Sequence, residues 1–386
     1  MIEPASAQEV AAILERASRS RQRVSIRGAG TKLSWAPRSA PADIELCTRR
    51  MNAVVAHRHG DLTATIQAGA ALADVNRELA RHGQWIPLDP PSADRATIGG
   101  IVATNDSGPR RHRYGAPRDL IIGVEFVRAD GVVAKAGGIV VKNVAGYDVG
   151  RLLTGSFGSL AVITSATFKL FPIPPESRTV VISADGSAKA SAERLSAIAA
   201  ALAASQLTPT ALELSGLARL LVRFESIAAS AERQAADAVT LATGATAAIV
   251  TGDEESALWD AHEARIREKR GAIVKLTLLP TDLGPTLAWA AEALRDVDYD
   301  VIGRAALGVL MVRVEAVVAK QAAFVRDLRA RLAPGRGGAV IVRGSEDLLR
   351  EVGGWGPLGD GIAVMRAIKT QFDPDGILPW PWNASP

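Results

Sequence analysis

The chain has 386 residues, of which 48% are hydrophobic and 22% are charged, and its formal net charge at pH 7 is +4. This length predicts two or three domains, and no apolar run approaches the roughly 18 residues that a membrane-spanning helix requires. The N-terminus, MIEPASAQEV, lacks the charged-then-apolar layout of a secretory signal, so we expect a soluble cytoplasmic protein.

Cysteine and charge usage exclude two further classes. Cys47 is the only cysteine, so the chain can form no internal disulfide and cannot alone supply the four thiolates of an iron–sulfur cluster. The main basic segment is RRHRYGAPR at 110–118, and aromatic residues make up only 4% of the chain. Nucleic-acid binding needs a broader basic face or stacking aromatics. The basic segment instead favours a local anionic ligand.

The N-terminal part predicts alternating helices and strands. Ser6 and Glu9 have capping-box spacing, and the apolar residues that follow at i, i+3, i+4 and i+7 indicate a helix with one buried stripe. The next elements are a strand running into a tight loop at 23–35, a strand at 62–70, a helix at 71–83 and a hairpin around Asp130 and Gly131. The stretch 160–170 alternates as a strand with one buried face. FPIPP (171–175) has three prolines, which predicts a boundary near 173.

Beyond that boundary the order β-α-β-β-α-β occurs twice. The first unit has strands near 179–183, 210–214, 219–224 and 247–250, with helices near 187–205 and 226–242. After a helix at 255–269, the second unit has strands near 272–278, 300–304, 308–315 and 339–343, with helices near 282–295 and 317–332. Two split-βαβ units predict an α+β fold, with one broad antiparallel sheet covered by helices on one face. The tail, 365–382, predicts a helix ending at a proline/glycine turn, with Trp380 and Trp382 anchored on another surface.

Three glycine-rich segments stand out in the first 165 residues. IRGAGTKLS (26–34) follows a strand, and its GxG leaves a dinucleotide fold open; however, Leu33 stands where the third glycine of GxGxxG is needed. The same residues are also compatible with a plain tight turn or with an anion-binding nest of backbone N–H groups. The second segment, 87–120, is too long for a structureless loop unless it is functional. The third is KNVAGYDVGRLLTGSFGSLAVI (142–163). Together they predict a long polar ligand threaded through one domain.

These motifs resemble a known family. RGAGTKL, ATIGGIVATNDSGPRRHRYG and VKNVAGYDVGRLLTGSFGSLAVITSATFKLFP resemble the FAD-binding domain of the vanillyl-alcohol-oxidase type, also called the PCMH-type domain. FDPDGILP near the C-terminus resembles that family's closing motif. Within the family the chain is most similar to the FAD-binding subunit of bacterial glycolate oxidase (glycolate dehydrogenase). The resemblance implies a PCMH-type FAD-binding domain at 1–173, a cap domain at 174–350 built from the two ferredoxin-like units, and a C-terminal segment at 351–386 that returns to the FAD domain.

The resemblance also implies which residues hold the cofactor. Residues 27–31 would wrap the FAD pyrophosphate, 96–108 would line the pyrophosphate and isoalloxazine, and the strand around Val162 and Ile163 would lie beside them. Covalently flavinylated relatives carry a histidine in the first loop or a cysteine in the second, whereas this chain has Thr31 after Gly30 and no cysteine nearby; we therefore expect non-covalent FAD. The expected contacts are Arg27, Gly28, Ala29, Gly30, Thr31, Pro91, Thr97, Ile98, Gly99, Gly100, Asn105, Ser107, Gly108, Tyr114, Gly115, Gly155, Gly158, Val162 and Ile163.

Catalytic residues are less clearly marked, and no metal site is expected. Hydroxy-acid oxidation on a flavin needs a base and cationic groups for the carboxylate. Catalytic relatives carry an HxGDGNxH-type motif, and the corresponding stretch here, IGRAALGVLMV (302–312), has no histidine. Weak candidates are Arg304, Lys275 and Tyr147, and Arg265 and Arg267 could also bind a carboxylate. A solvated or structural role is expected of His262, and a surface or cofactor-periphery position of His57, His59, His82 and His112.

Two hypotheses for the function remain. The first is an FAD subunit of a glycolate oxidase complex, oxidising glycolate to glyoxylate beside a catalytic flavoprotein and an iron–sulfur subunit. Such a subunit would be cytoplasmic, or associated with the inner membrane through its partners. The second is an autonomous FAD-dependent oxidoreductase acting on another small hydroxy acid or alcohol. The missing histidines and cysteines favour the first.

Overall fold

The computed structural model describes residues 1–35, 41–140, 146–267, 269–332 and 335–382. The first four residues of the third glycine-rich segment, 142–145, therefore lie outside the described residues. Within the described ranges, no helix combines the length and the apolar character that a bilayer span requires.

The N-terminal region begins with the helix predicted from its cap. Helix α1 (Ala7–Ser20) starts after Ser6, whose hydroxyl accepts the N–H of Glu9 at 3.2 Å. The Glu9 carboxylate accepts the N–H of Ala5 at 2.9 Å rather than that of Ser6. The strands of this region are β1 (Val24–Arg27), β2 (Ile44–Cys47), β3 (Val54–Arg58), β4 (Thr63–Gln67), β5 (Gln84–Trp85), β6 (Ile121–Arg128), β7 (Val133–Gly137), β8 (Ala161–Lys169) and β9 (Phe171–Pro172). The helices are α2 (Leu72–Leu79), α3 (Ile98–Thr104), α4 (Arg111–Tyr114), α5 (Pro117–Leu120) and α6 (Val149–Leu153).

These strands form one main sheet and two pairs. The main sheet has five antiparallel strands in the order β3-β4-β8-β6-β7. Strands β1 and β2 form a parallel pair, and β5 and β9 an antiparallel one. The single buried face predicted for 160–170 is wrong. The register between β6 and β8 shifts at Thr164, so that Val162 packs with α1 in one core, whereas Ala166 and Phe168 pack in another.

The second region has the duplicated order predicted from the sequence. Its strands are β10 (Glu176–Ser183), β11 (Ala211–Ser215), β12 (Arg219–Ser226), β13 (Thr246–Val250), β14 (Ala272–Thr277), β15 (Asp298–Arg304), β16 (Val309–Glu315) and β17 (Gly338–Arg343). Its helices are α7 (Ala188–Ala204), α8 (Ala228–Leu241), α9 (Gly252–Arg267), α10 (Leu283–Ala293) and α11 (Val318–Arg331). Eight antiparallel strands form one sheet in the order β13-β10-β12-β11-β15-β16-β14-β17, which confirms the broad sheet.

The two units join edge to edge through β11 and β15, where Glu213 stands opposite Arg304. One face of the sheet carries the apolar core and is covered by α7, α8, α10 and α11. Because side chains alternate along a strand, Leu212 and Leu214 point into that core and Glu213 points to the opposite face. That face, with α9 on it, meets the N-terminal region.

The C-terminal segment returns to the N-terminal region. After α12 (Glu346–Val352) and α13 (Gly361–Phe372), the buried Asp373 carboxylate accepts the N–H groups of Ile377 at 3.0 Å and Leu378 at 2.8 Å. It also pairs with Lys369, whose ammonium donates to the Ser159 carbonyl at 2.8 Å. Val24 of β1 donates to the Ile377 carbonyl at 2.8 Å. The two main sheets fall on either side of residue 173; the domain limits 1–173, 174–350 and 351–386 remain a proposal.

Asp373→Ala is predicted to destabilise the protein by roughly 3 kcal/mol, because Lys369 would be left buried without its counter-ion and two N–H groups would lose their acceptor. Asp375→Ala is the matched control: this nearby carboxylate is exposed and bonds only Ser18, so its loss should cost less than about 0.5 kcal/mol. Urea unfolding followed by circular dichroism measures both. Equal losses would show that Asp373 does not hold the segment in place.

Candidate functional site

A groove of about 490 Å³ runs along the N-terminal region. It is bounded by the loop after β1, the start of α3, strand β8 and two prolines of the C-terminal segment, Pro379 and Pro381. Ten of the residues expected to contact a cofactor line this groove: Arg27, Gly28, Ala29, Gly30, Thr31, Thr97, Gly99, Gly100, Gly158 and Ile163.

The loop after β1 leaves its main chain bare toward this groove. A Cβ at residue 28 would lie 2.1 Å from the Thr97 hydroxyl, so only glycine lets the loop approach α3 so closely. Gly30 has a φ of +76°, in the left-handed region. Among the described residues, the N–H groups of Ala29, Gly30 and Thr31 have no hydrogen-bond acceptor. Successive unpaired N–H groups in a turn form a cradle for an anion.

Ion pairs hold both ends of this loop. The Arg27 guanidinium lies 2.6 Å from the Glu45 carboxylate of the neighbouring strand β2. At the other end, the Lys32 ammonium lies 3.1 Å from Asp106, and both side chains are buried. Lys32 therefore ties the first glycine-rich segment to the second, so that the two walls of the groove are fixed relative to each other.

The other expected contacts lie around the groove rather than in its lining. Ile98 and Val162 are buried in the apolar cores. Asn105 ends α3 in a left-handed conformation, and its buried carboxamide oxygen has no partner among the described residues. Tyr114 packs edge-on against Trp85 and Phe171. The remaining residues of this set are Pro91, Ser107, Gly108, Gly115 and Gly155.

The second sheet meets the N-terminal region along a polar seam, which we define by Asp106, Ser107, Gly108, Arg111 and His112 on one side and Glu213, His262, Lys275 and Arg304 on the other. Arg304 crosses it. Its guanidinium donates to the carbonyls of Ser107 and, at 3.2 Å, Gly108. The same group lies 3.7 Å from the Glu213 carboxylate. Arg304 is only 7% exposed, so this contact joins the two halves of the protein.

Glu213 contacts the imidazole of His262. It is 2% exposed, and one carboxylate oxygen is 3.4 Å from Nε2 of His262. His262, on α9, is only 4% exposed. A solvated or structural role was expected of it, and the solvated role is wrong. His112 is close enough for the Glu213 charge to act on its pKa, although burial dominates and lowers that pKa. One Glu213 oxygen and Nδ1 of both histidines have no hydrogen-bond partner among the described residues.

Lys275 adds a cation to the seam. Burial lowers its pKa to about 8, and the Arg304 and Arg111 charges contribute in the same direction while Asp106 opposes them. The Lys275 ammonium makes no ion pair or hydrogen bond with the described residues. Burial likewise lowers the pKa of Arg111. Three cations, Lys275, Arg304 and Arg111, thus share the seam with two buried carboxylates: Asp106, which is paired with Lys32, and Glu213, which lies 3.7 Å from Arg304.

The other sequence-based candidates lie elsewhere. Tyr147 is 94% exposed and is not part of the seam. Arg265 pairs with Asp300 at 3.0 Å, and Arg267 contacts Glu263 at 3.3 Å. Among the residues that the structure describes, no three histidine, cysteine, aspartate or glutamate side chains are arranged to hold a metal ion.

A second contact between the two halves lies beside the seam. Arg110 donates two guanidinium bonds to Glu225 of β12, at 2.7 and 3.0 Å, and stacks 4.7 Å from the Trp85 ring. Its backbone N–H donates to Asp89 at 3.0 Å. Burial raises the pKa of Asp89 to about 6, although the Arg110 charge opposes the shift. The basic segment 110–118 therefore serves partly to dock the second sheet.

Comparison with known proteins indicates which cofactor the groove binds. Residues 1–137 match a family model described as an FAD binding domain. The N-terminal region is an FAD-binding domain. Its cofactor is FAD, and the groove fits that molecule, because the unpaired N–H groups of the first loop suit a diphosphate and the glycines leave room for an extended ligand.

Relatives and neighbours agree with this domain. The chain is 35% identical to glycolate oxidase subunit GlcD of Bacillus subtilis over 222 residues, 58% of this chain and 46% of that protein. It is 40% identical to glycolate oxidase subunit GlcE of Escherichia coli over 115 residues, 30% of this chain and 33% of that protein. The matches thus span less than half the length of these relatives. A solved chitooligosaccharide oxidase shares the fold over 100% of this chain and 91% of its own, with a TM-score of 0.71 at 15% identity.

Sequence reasoning missed the seam around Glu213. The residue lies in ALELS, where it alternates with Leu212 and Leu214, so its orientation away from the apolar core could have been inferred. The residues around Glu213 could not have been inferred, because His112, His262 and Arg304 come from three distant parts of the chain. The alternation was the only indication in the sequence.

Gly28→Ala is predicted to weaken FAD binding at least about tenfold, because the new methyl group cannot coexist with the Thr97 hydroxyl and the loop must move away from α3. Gly60→Ala is the matched control, since a Cβ there meets no atom within 4 Å. Titration of the apoprotein with FAD, followed by flavin fluorescence, measures both affinities. Unchanged affinity in Gly28→Ala would show that FAD does not depend on this loop.

Proposed function

We propose that the chain is the FAD-carrying subunit of a glycolate-oxidase-type complex, related to GlcE, that oxidises small 2-hydroxy acids such as glycolate to the 2-oxo acid. The observation that supports this most directly is the glycine-lined groove of an FAD-binding domain, which the Lys32–Asp106 ion pair links to a seam that holds Lys275, Arg304 and Arg111. Bound FAD would supply the acceptor for two electrons and a hydrogen. The protein would supply the binding of the acid and its orientation.

The seam cations suit a carboxylate. A small 2-hydroxy acid carries one negative charge. In the seam Asp106 is paired with Lys32 and Glu213 lies beside Arg304, which leaves the Lys275 ammonium without a carboxylate partner among the described residues. An ammonium and guanidinium groups bind carboxylates through charge-assisted hydrogen bonds. We propose that the acid is held here, beside residues 105–108 of the FAD-binding domain.

The partners follow from the composition and from the names of the relatives. With Cys47 as its only cysteine, the chain cannot itself ligate an iron–sulfur cluster. Two of its relatives are named as subunits of glycolate oxidase. We propose a catalytic FAD subunit and an iron–sulfur subunit as partners, in the cytoplasm or at the inner membrane through those partners. The bound FAD would be non-covalent, with Thr31 at the position after Gly30.

One observation favours a second candidate, an autonomous FAD-dependent oxidoreductase. The stretch 302–312 lacks the histidines expected of catalytic relatives, yet His112 and His262 reach the seam from other elements. The chain therefore has its own titratable groups at the place where an acid would bind. Turnover by the isolated chain would distinguish this candidate from the subunit.

The decisive experiment is co-purification of the tagged chain, followed by an absorption spectrum and anaerobic addition of glycolate and of D-lactate. We expect FAD absorbance, copurifying flavoprotein and iron–sulfur subunits, and bleaching near 450 nm on adding the acid. Rapid bleaching in the isolated chain would support the autonomous candidate. A flavin-free chain without partners would contradict both.

Non-covalent attachment has its own test. Denaturation of the purified yellow protein in acid, followed by filtration, is predicted to release the colour into the filtrate, because no covalent bond joins FAD to the chain. Mass spectrometry of the filtered polypeptide should give the unmodified mass. A mass increased by that of FAD would contradict this prediction.

Carboxylate binding is predicted to depend on Lys275. Its ammonium binds the acid only while protonated, so the affinity for oxalate, a non-reducing analogue, should fall up to about tenfold per pH unit as the pH rises through 8. Lys275→Arg should remove that pH dependence, whereas Lys275→Met should weaken binding at every pH. Calorimetric titration between pH 6 and 9.5 measures this, with Lys320→Met, an exposed lysine of α11, as control. A pH-independent wild-type affinity would exclude the role of Lys275.

A further inference from the structure

Glu213 has a position that packing does not explain. It is among the most deeply buried carboxylates of the described chain, it lies on the central junction of the second sheet, and it faces the FAD-binding domain. One of its oxygens, the one that lies 3.7 Å from Nε of Arg304, accepts no hydrogen bond from the described residues. Leaving a buried polar atom unpaired costs free energy, roughly 1–3 kcal/mol, so the arrangement calls for a reason beyond stability.

We propose that Glu213 is the group that accepts the proton of the substrate hydroxyl, with His262 as the residue that positions it. This inference rests on the proposed function, because it requires a 2-hydroxy acid bound at the seam. The O–H bond of the acid breaks and its proton passes to the unpaired Glu213 oxygen. The adjacent C–H bond would break, its hydrogen and both electrons would go to the two-electron acceptor that bound FAD supplies, and a 2-oxo acid would remain.

The surroundings of Glu213 suit this role. Arg304, from β15, places its guanidinium 3.7 Å from the carboxylate, and the same guanidinium donates to the carbonyls of Ser107 and Gly108. The base is thereby held against Ser107 and Gly108, which belong to the segment 96–108 that we expect to line the cofactor. A base must be within reach of the proton that it removes, so this link is the essential geometric condition.

Two histidines of the seam, His262 and His112, also belong to the surroundings of Glu213. His262, from α9, contacts the second Glu213 oxygen, and its ring is fixed edge-on by Trp259 at 5.6 Å. His112 is on α4, and the Glu213 charge acts on its pKa, although burial lowers that pKa. Arg304 and His262 therefore contact Glu213 directly, and the other titratable or charged groups of the seam are His112, Lys275, Arg111 and Asp106. Protonation of Glu213 can be relayed to an imidazole, which gives the proton a way out of the buried site.

Glu213→Gln tests the proposal, because it keeps the shape of the side chain and removes the base. In the FAD-loaded full chain, purified with the subunits that accompany it, we expect flavin bleaching by glycolate or D-lactate to slow at least about 100-fold in single turnover. FAD content and the affinity for oxalate should stay within about threefold. Glu255→Gln is the matched control: Glu255 is equally buried on the same face, but it bonds Ser177, Thr179 and Arg223 away from the seam.

A second measurement does not depend on turnover. The chain has five histidines, so ¹⁵N-histidine spectra can be assigned with single His→Gln variants. Oxalate should shift the His262 and His112 signals while leaving those of His57, His59 and His82 unchanged, and Glu213→Gln should shift His262 without ligand. Oxalate that binds without moving either seam histidine overturns the proposal, even if a variant fails to fold.

The outcomes separate this inference from the proposed function. If wild type is bleached and Glu213→Gln is bleached equally fast, only the role of Glu213 is excluded. If no hydroxy acid bleaches the wild-type complex and oxalate does not bind, both are excluded. If His262→Gln slows flavin bleaching less than Glu213→Gln does, and shifts the pH dependence of the bleaching rate, His262 is supported as a positioning residue.

Discussion

The arrangement of the molecule depends on Arg304. Its side chain extends from the centre of the second sheet and bonds two main-chain carbonyls of the FAD-binding domain, while Glu213 compensates its charge from the neighbouring strand. A buried guanidinium without such partners would be strongly unfavourable, so the sheet and the loop must lie in register for either to be stable. This requirement fixes the distance between the cofactor groove and the residues that would handle a substrate.

Charges at the seam serve both docking and chemistry. Arg110 and Glu225 are fully paired and bury a bidentate contact, which makes them docking groups. Lys275 and the unpaired oxygen of Glu213 are the opposite case, since their hydrogen-bonding capacity is unused within the described chain. The contrast separates residues that hold the two halves together from residues available to a ligand. It also explains why burial lowers the Lys275 pKa while Arg110 remains firmly charged.

Much of the fold could be predicted from the sequence, because its signals are local. The cap at Ser6, the hairpin at Asp130 and Gly131, and both β-α-β-β-α-β units follow from spacing and turn residues, and the glycine-rich loops indicate the groove. The register shift at Thr164 could not be predicted, since a bulge depends on the partner strand. Nor could the burial of His262: WDAHEARIREKR has the composition of an exposed helix, yet α9 packs on the polar face of the sheet. Which charges meet across a seam depends on contacts hundreds of residues apart.

The junction of the two repeated units has one further consequence. Glu213 and Arg304 lie on β11 and β15, each the second strand of its unit, and stand opposite each other where the two units join. Their opposite charges make this junction polar on the face of the sheet that meets the N-terminal region. Since alternate residues of a strand face opposite sides, adding one residue to either strand before this pair would turn its charge toward the helices. An inserted residue is thus tolerated far less in these two strands than in the loops between elements.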